Sequence, residues 1–310
     1  MIQLCSRLYP AATLVAFVLA SVAARAQVVP PPDEGHAQYP IGVCGTRHFD
    51  PRLEFCDTRN NRLYRFTKIG NQTWMADNLD FGMMIPGSAD QSKPGEKYCL
   101  FDKEFQCGAL YQWAEAMALP PENNEKILGL KGKTQGICPS GWHLPSAGEW
   151  NEMLTLVRKE QGAQNEAVSL MTYSPNDDFR WKSNTTPEEM LPTKDKYGLS
   201  VVPSGHRVLK GTCPDGPPTD SFFCNAHDMA KFWTSTDDPS DPQTAVSMTV
   251  IEDLPHVVDS SKSIDQFLTP EEKQKWVALA ARKSAEQSEL QRSYKPSQKY
   301  QGMSVRCVKD

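Results

Sequence analysis

The residues able to do chemistry in this chain are few and scattered. His143 sits in Gly-Trp-His-Leu-Pro-Ser, and an imidazole that titrates near neutrality is a candidate general base or ligand contact. No nucleophile or carboxylate is attached to it by motif, so the plainer reading is a hydrogen-bonded histidine bracing a tight turn. His206 and Arg207 follow Pro203-Ser204-Gly205; they offer an anion site or, equally, a loop brace. Asp237, Asp238 and Asp241 follow Trp233-Thr234-Ser235-Thr236. Calcium takes several oxygens from clusters of this kind, whereas Pro239 and Pro242 suit a solvated acidic turn. The 7 tryptophans are numerous enough for a carbohydrate platform, with Trp233 a candidate ligand contact. Most of them fall in apolar stripes, which makes core packing the default. No catalytic set of residues stands out.

Cysteine usage says more about compartment than about catalysis. Met1–Ala26 reads as a cleaved secretory leader: Arg7 comes early, the apolar run Ala11–Ala20 is too short to span a bilayer, and Ala24-Arg25-Ala26 puts small residues where a signal peptidase reads. Gln27 is then the mature start, and the mature chain is expected to carry no membrane span. Cys5 leaves with the leader, so Cys44, Cys56, Cys99, Cys107, Cys138, Cys213, Cys224 and Cys307 remain. An even set in an exported chain reads as a disulfide framework, because compartments outside the cytoplasm are oxidising. Eight cysteines allow roughly a hundred connectivities, and sequence alone does not choose among them. Cys44 with Cys56, Cys99 with Cys107 and Cys213 with Cys224 are close in sequence, which would leave Cys138 with Cys307. Such a bridge closes roughly 170 residues and is worth about 5 kcal/mol by loop-closure entropy. A zinc site is the rival reading, but no Cys-x-x-Cys occurs and the 6 histidines are scattered.

Charge narrows the partners. The 33 basic and 38 acidic residues leave a net charge of −5, and loss of Arg7 and Arg25 with the leader makes it 31 against 38, or −7. No basic stripe is present for nucleic acid, and nothing marks an anionic membrane surface.

These residues need elements to position them. Gln27–Pro40, with its Val-Pro-Pro-Pro-Asp-Glu-Gly run, reads as an extended tether. Ile41–Asp310 shows no repeat and reads as one domain. Leu63–Ile69, the turn Gly70-Asn71 and Gln72–Met75 predict a hairpin. Leu110–Met117 has helical spacing, with Leu110, Trp113, Ala114 and Met117 on one face and Pro120 as a stop. Ser146 and Glu149 form a capping box for a helix whose Trp150, Met153, Leu154 and Val157 make a single apolar stripe. Leu199–Val202, Phe232–Ser235, Ala245–Ile251 and Met303–Val308 read as strands; the third is expected to bury one face, and the last to turn Cys307 inward. Thr269, Pro270, Glu271 and Glu272 start a further helix running to near Leu290, largely charged and therefore a surface helix.

Five blocks then carry a resemblance. Phe66–Asp80 (FTKIGNQTWMADNLD), Cys138–Trp150 (CPSGWHLPSAGEW), Gly198–Arg207 (GLSVVPSGHR), Phe232–Thr236 (FWTST) and Ser304–Asp310 (SVRCVKD) occur in that order. Together they resemble the Fibrobacter succinogenes major paralogous domain, whose members are exported or surface proteins of bacteria. The resemblance implies an α+β, C-type-lectin-like mixed body: small twisted antiparallel sheets, two core helices, long loops and here an inserted surface helix. It implies that Cys138 and Cys307, which correspond to a helix-to-final-strand bridge of the C-type lectin pattern, are paired. It also implies that Cys213 with Cys224 is a loop-stabilising bridge. The segment from about Leu254 to Lys299 looks like an insertion. The paired Glu-Pro-Asn and Trp-Asn-Asp signatures of sugar-binding C-type lectins are absent.

The expected function is an exported, non-catalytic binding or structural module that acts on an unknown protein or glycan ligand from the periplasm, the cell surface or outside the cell. It needs no cofactor; calcium at Asp237, Asp238 and Asp241 is the alternative to a solvated acidic turn there. One alternative is a formylglycine-generating type of oxidase, or a metal-dependent enzyme, which needs a reactive cysteine or bound metal. The other is a host- or envelope-directed interaction protein that docks through the helix at Pro270–Leu290.

Overall fold

The turn Gly70-Asn71 does what its composition predicts. In the computed structural model, which describes residues 42–46, 48–99, 109–172, 181, 194–208, 222–251, 255–262, 270, 274 and 297–310, Arg62–Ile69 and Gln72–Met75 pair antiparallel with Ile69 opposite Gln72. Gly70 supplies the φ of +61° that the turn needs. A Cβ at this position would also lie 2.7 Å from Leu156 Cδ2, so the turn abuts a helix as closely as glycine allows.

This hairpin is the middle of a six-stranded antiparallel sheet. Its order is Gly42–Val43, Arg62–Ile69, Gln72–Met75, Val308–Lys309, Trp142–His143, with Glu54–Asp57 also paired to Arg62–Ile69. The second sheet has eight strands. Phe223–Ala226, Ser204–Arg207, Met229–Asp237, Thr244–Ile251 and Val258–Asp259 run in that order. Ser297–Gln298 adds to Thr244–Ile251, and Met303–Ser304 followed by Leu110–Tyr111 adds to Met229–Asp237. Contrary to expectation this sheet is not purely antiparallel: Met229–Asp237 pairs parallel with both Ser204–Arg207 and Met303–Ser304. Phe223–Ala226 takes the antiparallel place on the far side of Ser204–Arg207, so the chain returns in the original direction.

Two α-helices are described. α1 covers Trp113–Ala116 and α2 covers Ala147–Gln161. α2 carries the predicted capping box in full: the Ser146 side chain accepts from Glu149 N–H, and the Glu149 side chain accepts from Ser146 N–H. Its stripe of Trp150, Met153, Leu154 and Val157 is buried. Trp150 packs on Trp74 of one sheet, with ring centroids 4.7 Å apart, and on Phe232 of the other at 5.4 Å. The helix therefore seals the space between the sheets, and each fully buried side chain contributes roughly 1.5–3 kcal/mol. The architecture is mostly sheet with few helices, a mixed α+β fold.

Three elements differ from expectation. The helix predicted from Leu110 begins only at Trp113, because Leu110 exchanges both backbone bonds with Tyr98 and its segment joins the sheet. Leu199–Val202 is not a strand beyond a bridge of Val201 to Met171. Asp195 accepts from Ser200 N–H and Oγ, both at 2.7 Å, and Ser200 takes a φ of +52°, so the strand forms later, at Ser204–Arg207. Thr244–Ile251 buries both faces rather than one. Ser247 sits inside because Ser297 and Ser260 hydrogen-bond it.

The final segment, read as one strand over Met303–Val308, is instead broken at 305–307 and crosses between sheets. Met303–Ser304 belongs to the eight-stranded sheet and Val308–Lys309 to the six-stranded one. At the crossing Cys307 is fully buried and bonded to Cys138, with S–S 2.03 Å. Arg306, also fully buried, donates to Asn78 Oδ1 at 2.7 Å, to Ser200 O at 2.9 Å and to Leu199 O. Cys44 bonds Cys56. Cys99 and Cys224 are half-cystines too; Cys107 and Cys213, their expected partners, lie outside the described residues. So do Met1–Ala26, Gln27–Pro40 and the helix predicted at Pro270–Leu290, apart from Pro270 and Gln274, which are helical and exposed. Val258–Asp259 and Ser297–Gln298, at the flanks of the segment read as an insertion, are strands of the main sheet. Among the described residues no helix is long and apolar enough to cross a membrane.

Candidate functional site

Most residues singled out in the sequence are engaged by the fold itself. His143 lies on the strand Trp142–His143 and is 1 % exposed. Its Nδ1 meets Asp310 Oδ1 at 2.8 Å and its Nε2 meets Glu149 Oε1 at 2.7 Å. Burial raises the Glu149 pKa, but hydrogen bonds from His143 and Ser146 outweigh it and hold the carboxyl at about 2. The imidazole thus clamps the chain terminus to the start of α2, with no ring nitrogen left for a substrate.

Arg207 is likewise closed. It is 1 % exposed, stacks 4.7 Å above the Tyr98 ring, and donates to Gly87 O, Ala89 O, Tyr300 O and Asp90 Oδ1 at 2.9–3.1 Å. It braces the 87–90 loop. His206 is buried on the same strand, opposite Cys224. Trp233 is fully buried and donates Nε1–H to Tyr111 O at 2.7 Å. The other described tryptophans, Trp74, Trp113, Trp142, Trp150 and Trp181, are buried too; Trp276 lies outside the described residues.

The acidic turn faces the chain's own donors. Asp237 Oδ2 accepts from Leu128 N–H at 2.6 Å and Gly129 N–H at 3.2 Å. Asp238 accepts from Ser240 N–H, Ser240 Oγ and Thr244 Oγ1, and Asp241 from Gln243 N–H. Lys299 is the facing cation: its ammonium donates to Lys126 O at 2.6 Å and lies 4.0 Å from the Trp113 ring centre. Its pKa is lowered by burial against the pull of Asp237, Asp241 and Asp238. Among the described residues no group of three His, Cys, Asp or Glu is placed to hold a metal ion. A further closed cluster is Asp80, which meets Lys97 Nζ and Arg62 at 2.5 Å each.

One place is different. A small cleft with room for about one water molecule, partly open to solvent, lies between the 91–95 turn and the segment running from α1 to Asn124. Its walls include Lys93, Pro94, Gln112, Glu115, Leu119, Pro121 and Asn124. The turn is fixed by Glu96 Oε2, which accepts from Ser92 N–H at 2.6 Å and Lys93 N–H at 3.0 Å. Gln112 ties the floor to Asp90 and Tyr300 O, so Arg207, which shares both partners, supports the cleft from behind.

Glu115 and Asn124 are the polar groups of interest. Among the described residues Glu115 accepts a single hydrogen bond, from Gly95 N–H at 2.8 Å on Oε1. Burial, opposed by that bond and helped by the Glu96 charge, pushes its pKa up to about 7. Asn124 is 0 % exposed, and its Oδ1 accepts from Ala114 N–H at 2.8 Å. That bond fixes which way the amide faces, since the opposite orientation would set donor against donor. Among the described residues its Nδ2 has no hydrogen-bond partner, a condition rare in buried amides. Sequence reasoning missed both residues. The one cue was Glu115, a lone carboxylate in the stripe Leu110–Met117.

The family model of the Fibrobacter succinogenes major domain matches residues 67–309. The chain belongs to this family. No curated protein and no solved structure matches it.

Proposed function

We propose that this protein is an extracytoplasmic, non-catalytic binding module built on a disulfide-stabilised, C-type-lectin-like body. The observation that carries the reading is that, among the described residues, the sets the sequence offered for chemistry, His143, Arg207, Trp233 and the Asp237–Asp241 turn, are engaged by the fold. The disulfides Cys44–Cys56 and Cys138–Cys307, together with the leader pattern at Met1–Ala26, support a location outside the cytoplasm. A fold that engages these groups internally is suited to holding a ligand rather than transforming it.

The test is a free-thiol titration of the denatured, unreduced protein after export, with metal analysis on the same sample. No free thiol and no stoichiometric metal is the expected result. A reactive thiol with bound copper would overturn the reading in favour of an oxidase.

A further inference from the structure

We infer that Lys262 and Asn151 join in an intramolecular isopeptide bond, with Asp259 carrying the protons, so that a covalent link other than a disulfide ties α2 to the eight-stranded sheet. The bond is a single event within the chain, so it leaves the binding-module reading as it stands. Three side chains from two segments carry it. Asn151 lies in α2, and Asp259 ends the strand Val258–Asp259. Lys262 follows in the turn after that strand, its backbone N–H donating to Asp259 O at 3.1 Å. The Asn151 amide is oriented by its own donors: Nδ2 gives one hydrogen to Ala147 O at 2.6 Å and the other to Asp259 Oδ2 at 2.8 Å. Oδ1 therefore faces Lys262, whose Nζ contacts it. Asp259 Oδ2 also lies 3.2 Å from Lys262 Nζ. One carboxylate oxygen thus touches both the nitrogen that attacks and the nitrogen that leaves.

The chemistry balances without a co-reactant. Asp259 is buried. Burial raises its pKa, but hydrogen bonds from Ser261 and Asn151 and the Lys262 charge outweigh it and hold the carboxyl below its ordinary value. It is therefore ionised and takes a proton from the Lys262 ammonium. The freed Nζ lone pair forms a bond to Asn151 Cγ, and the proton passes from Asp259 to Nδ2. The Cγ–Nδ2 bond then breaks. Nδ2 leaves as ammonia, takes up the second proton shed by Nζ and carries the positive charge away as ammonium, while Asp259 returns to a carboxylate. Holding the three groups in one geometry supplies the proximity that so slow an amide exchange needs. The Lys262 side chain is 34 % exposed, which gives the ammonia a way out.

Two buried lysines elsewhere show what sets this one apart. Lys97 Nζ meets a carboxylate, Asp80, whose other oxygen Arg62 holds, and an ionised carboxylate is a poor electrophile. Lys299 Nζ meets a main-chain carbonyl, Lys126 O, whose nitrogen leaves only if the chain is cut. Lys262 faces a side-chain amide with a carboxylate beside it.

The test is peptide mapping by mass spectrometry on the exported protein, denatured and reduced before proteolysis. The expected product is a branched peptide that joins the segment holding Asn151 to the segment holding Lys262, lighter than the two together by one ammonia. Intact mass alone does not decide, because cyclisation of Gln27 at a mature N-terminus releases ammonia too. Separate linear peptides with Asn151 and Lys262 unmodified overturn the inference. Asp259→Asn keeps the shape of the carboxyl and removes the base, and should lower the linked fraction by about tenfold or more. Lys262→Arg should abolish it. Lys262 is partly exposed, so the second variant reports even where the first fails to fold. Equal linkage in Asp259→Asn overturns the role given to Asp259, and a branched peptide that persists in Lys262→Arg overturns the assignment of the bond to that lysine.

Discussion

Glu149 and Glu115 are both glutamates in the first turn of an α-helix, and they have opposite chemistry. Glu149 accepts from His143, Ser146 N–H and Ser146 Oγ, and its pKa is held at about 2. Glu115 accepts from one backbone N–H, and burial takes it up to about 7. Position in a helix does not separate them. The number of donors delivered from elsewhere in the chain does. The Glu149 region is a lock, in which a histidine, a capping serine and a disulfide hold the end of the chain against α2. The Glu115 region delivers a single backbone donor among the described residues, and burial there goes largely uncompensated.

The largest effect is expected from opening the lock covalently. Cys138 and Cys307 precede two adjacent strands, Trp142–His143 and Val308–Lys309. Replacing both with Ala should cost about 5 kcal/mol by loop-closure entropy, read by chemical denaturation. A loss under about 1 kcal/mol would mean that the His143 clamp holds the sheet edge alone.

Next comes the clamp. His143→Gln removes the bridge between Glu149 and Asp310 and should lower stability at neutral pH by about 2 kcal/mol. Its pH signature follows from the sign of the shift. Glu149 has a folded pKa below its usual 4.5, so its stabilisation is complete above that value and is lost as pH falls towards about 2. Thermal melts of the variant should show a flatter acid limb than the parent. An unchanged acid limb would place the low pKa elsewhere.

Glu115 gives the mirror image. Its folded pKa of about 7 exceeds the usual 4.5, so the fold retains a proton that the unfolded chain releases. Stability should therefore fall as pH rises from 4.5 through 7, by about 2 kcal/mol once solvent screening is allowed for. Glu115→Gln should abolish that slope, matching the parent near pH 4 and exceeding it near pH 8. If both glutamate variants shift the same limb, the contrast between the two regions is wrong.

The smallest effect belongs to the acidic turn. Asp241 makes one exposed bond, to Gln243 N–H, so Asp241→Asn should change stability by less than about 0.5 kcal/mol.

Much of the frame was legible from local pattern. The Gly70-Asn71 hairpin, the Ser146–Glu149 capping box and the stripe from Trp150 to Val157 are each contained within a few residues, so short-range rules suffice for them. Leu199–Val202 failed for the opposite reason. Its composition is that of a strand, but Asp195 and a left-handed Ser200 decide its path, and side-chain capping is not visible in apolar periodicity. Leu110–Met117 was divided between sheet and helix because its neighbours, Tyr98 and Met303, come from distant parts of the chain.

The sequence by itself determined the net negative charge and the family, because these depend on composition and on ordered local blocks; of the eight cysteines it offered as half-cystines, Cys44, Cys56, Cys99, Cys138, Cys224 and Cys307 are disulfide-bonded among the described residues. It offered His143, His206, Arg207, Trp233 and the three aspartates on equal terms. Only the tertiary structure could show that most of them are held by the fold, and that an unremarked glutamate and asparagine are each held by a single hydrogen bond among the described residues. Hydrogen-bond satisfaction is a property of what surrounds a side chain: the donors to Glu149 come from His143 and Ser146 close by in sequence, whereas Glu115 meets Gly95 and Asn124 meets Ala114 only because the chain folds back.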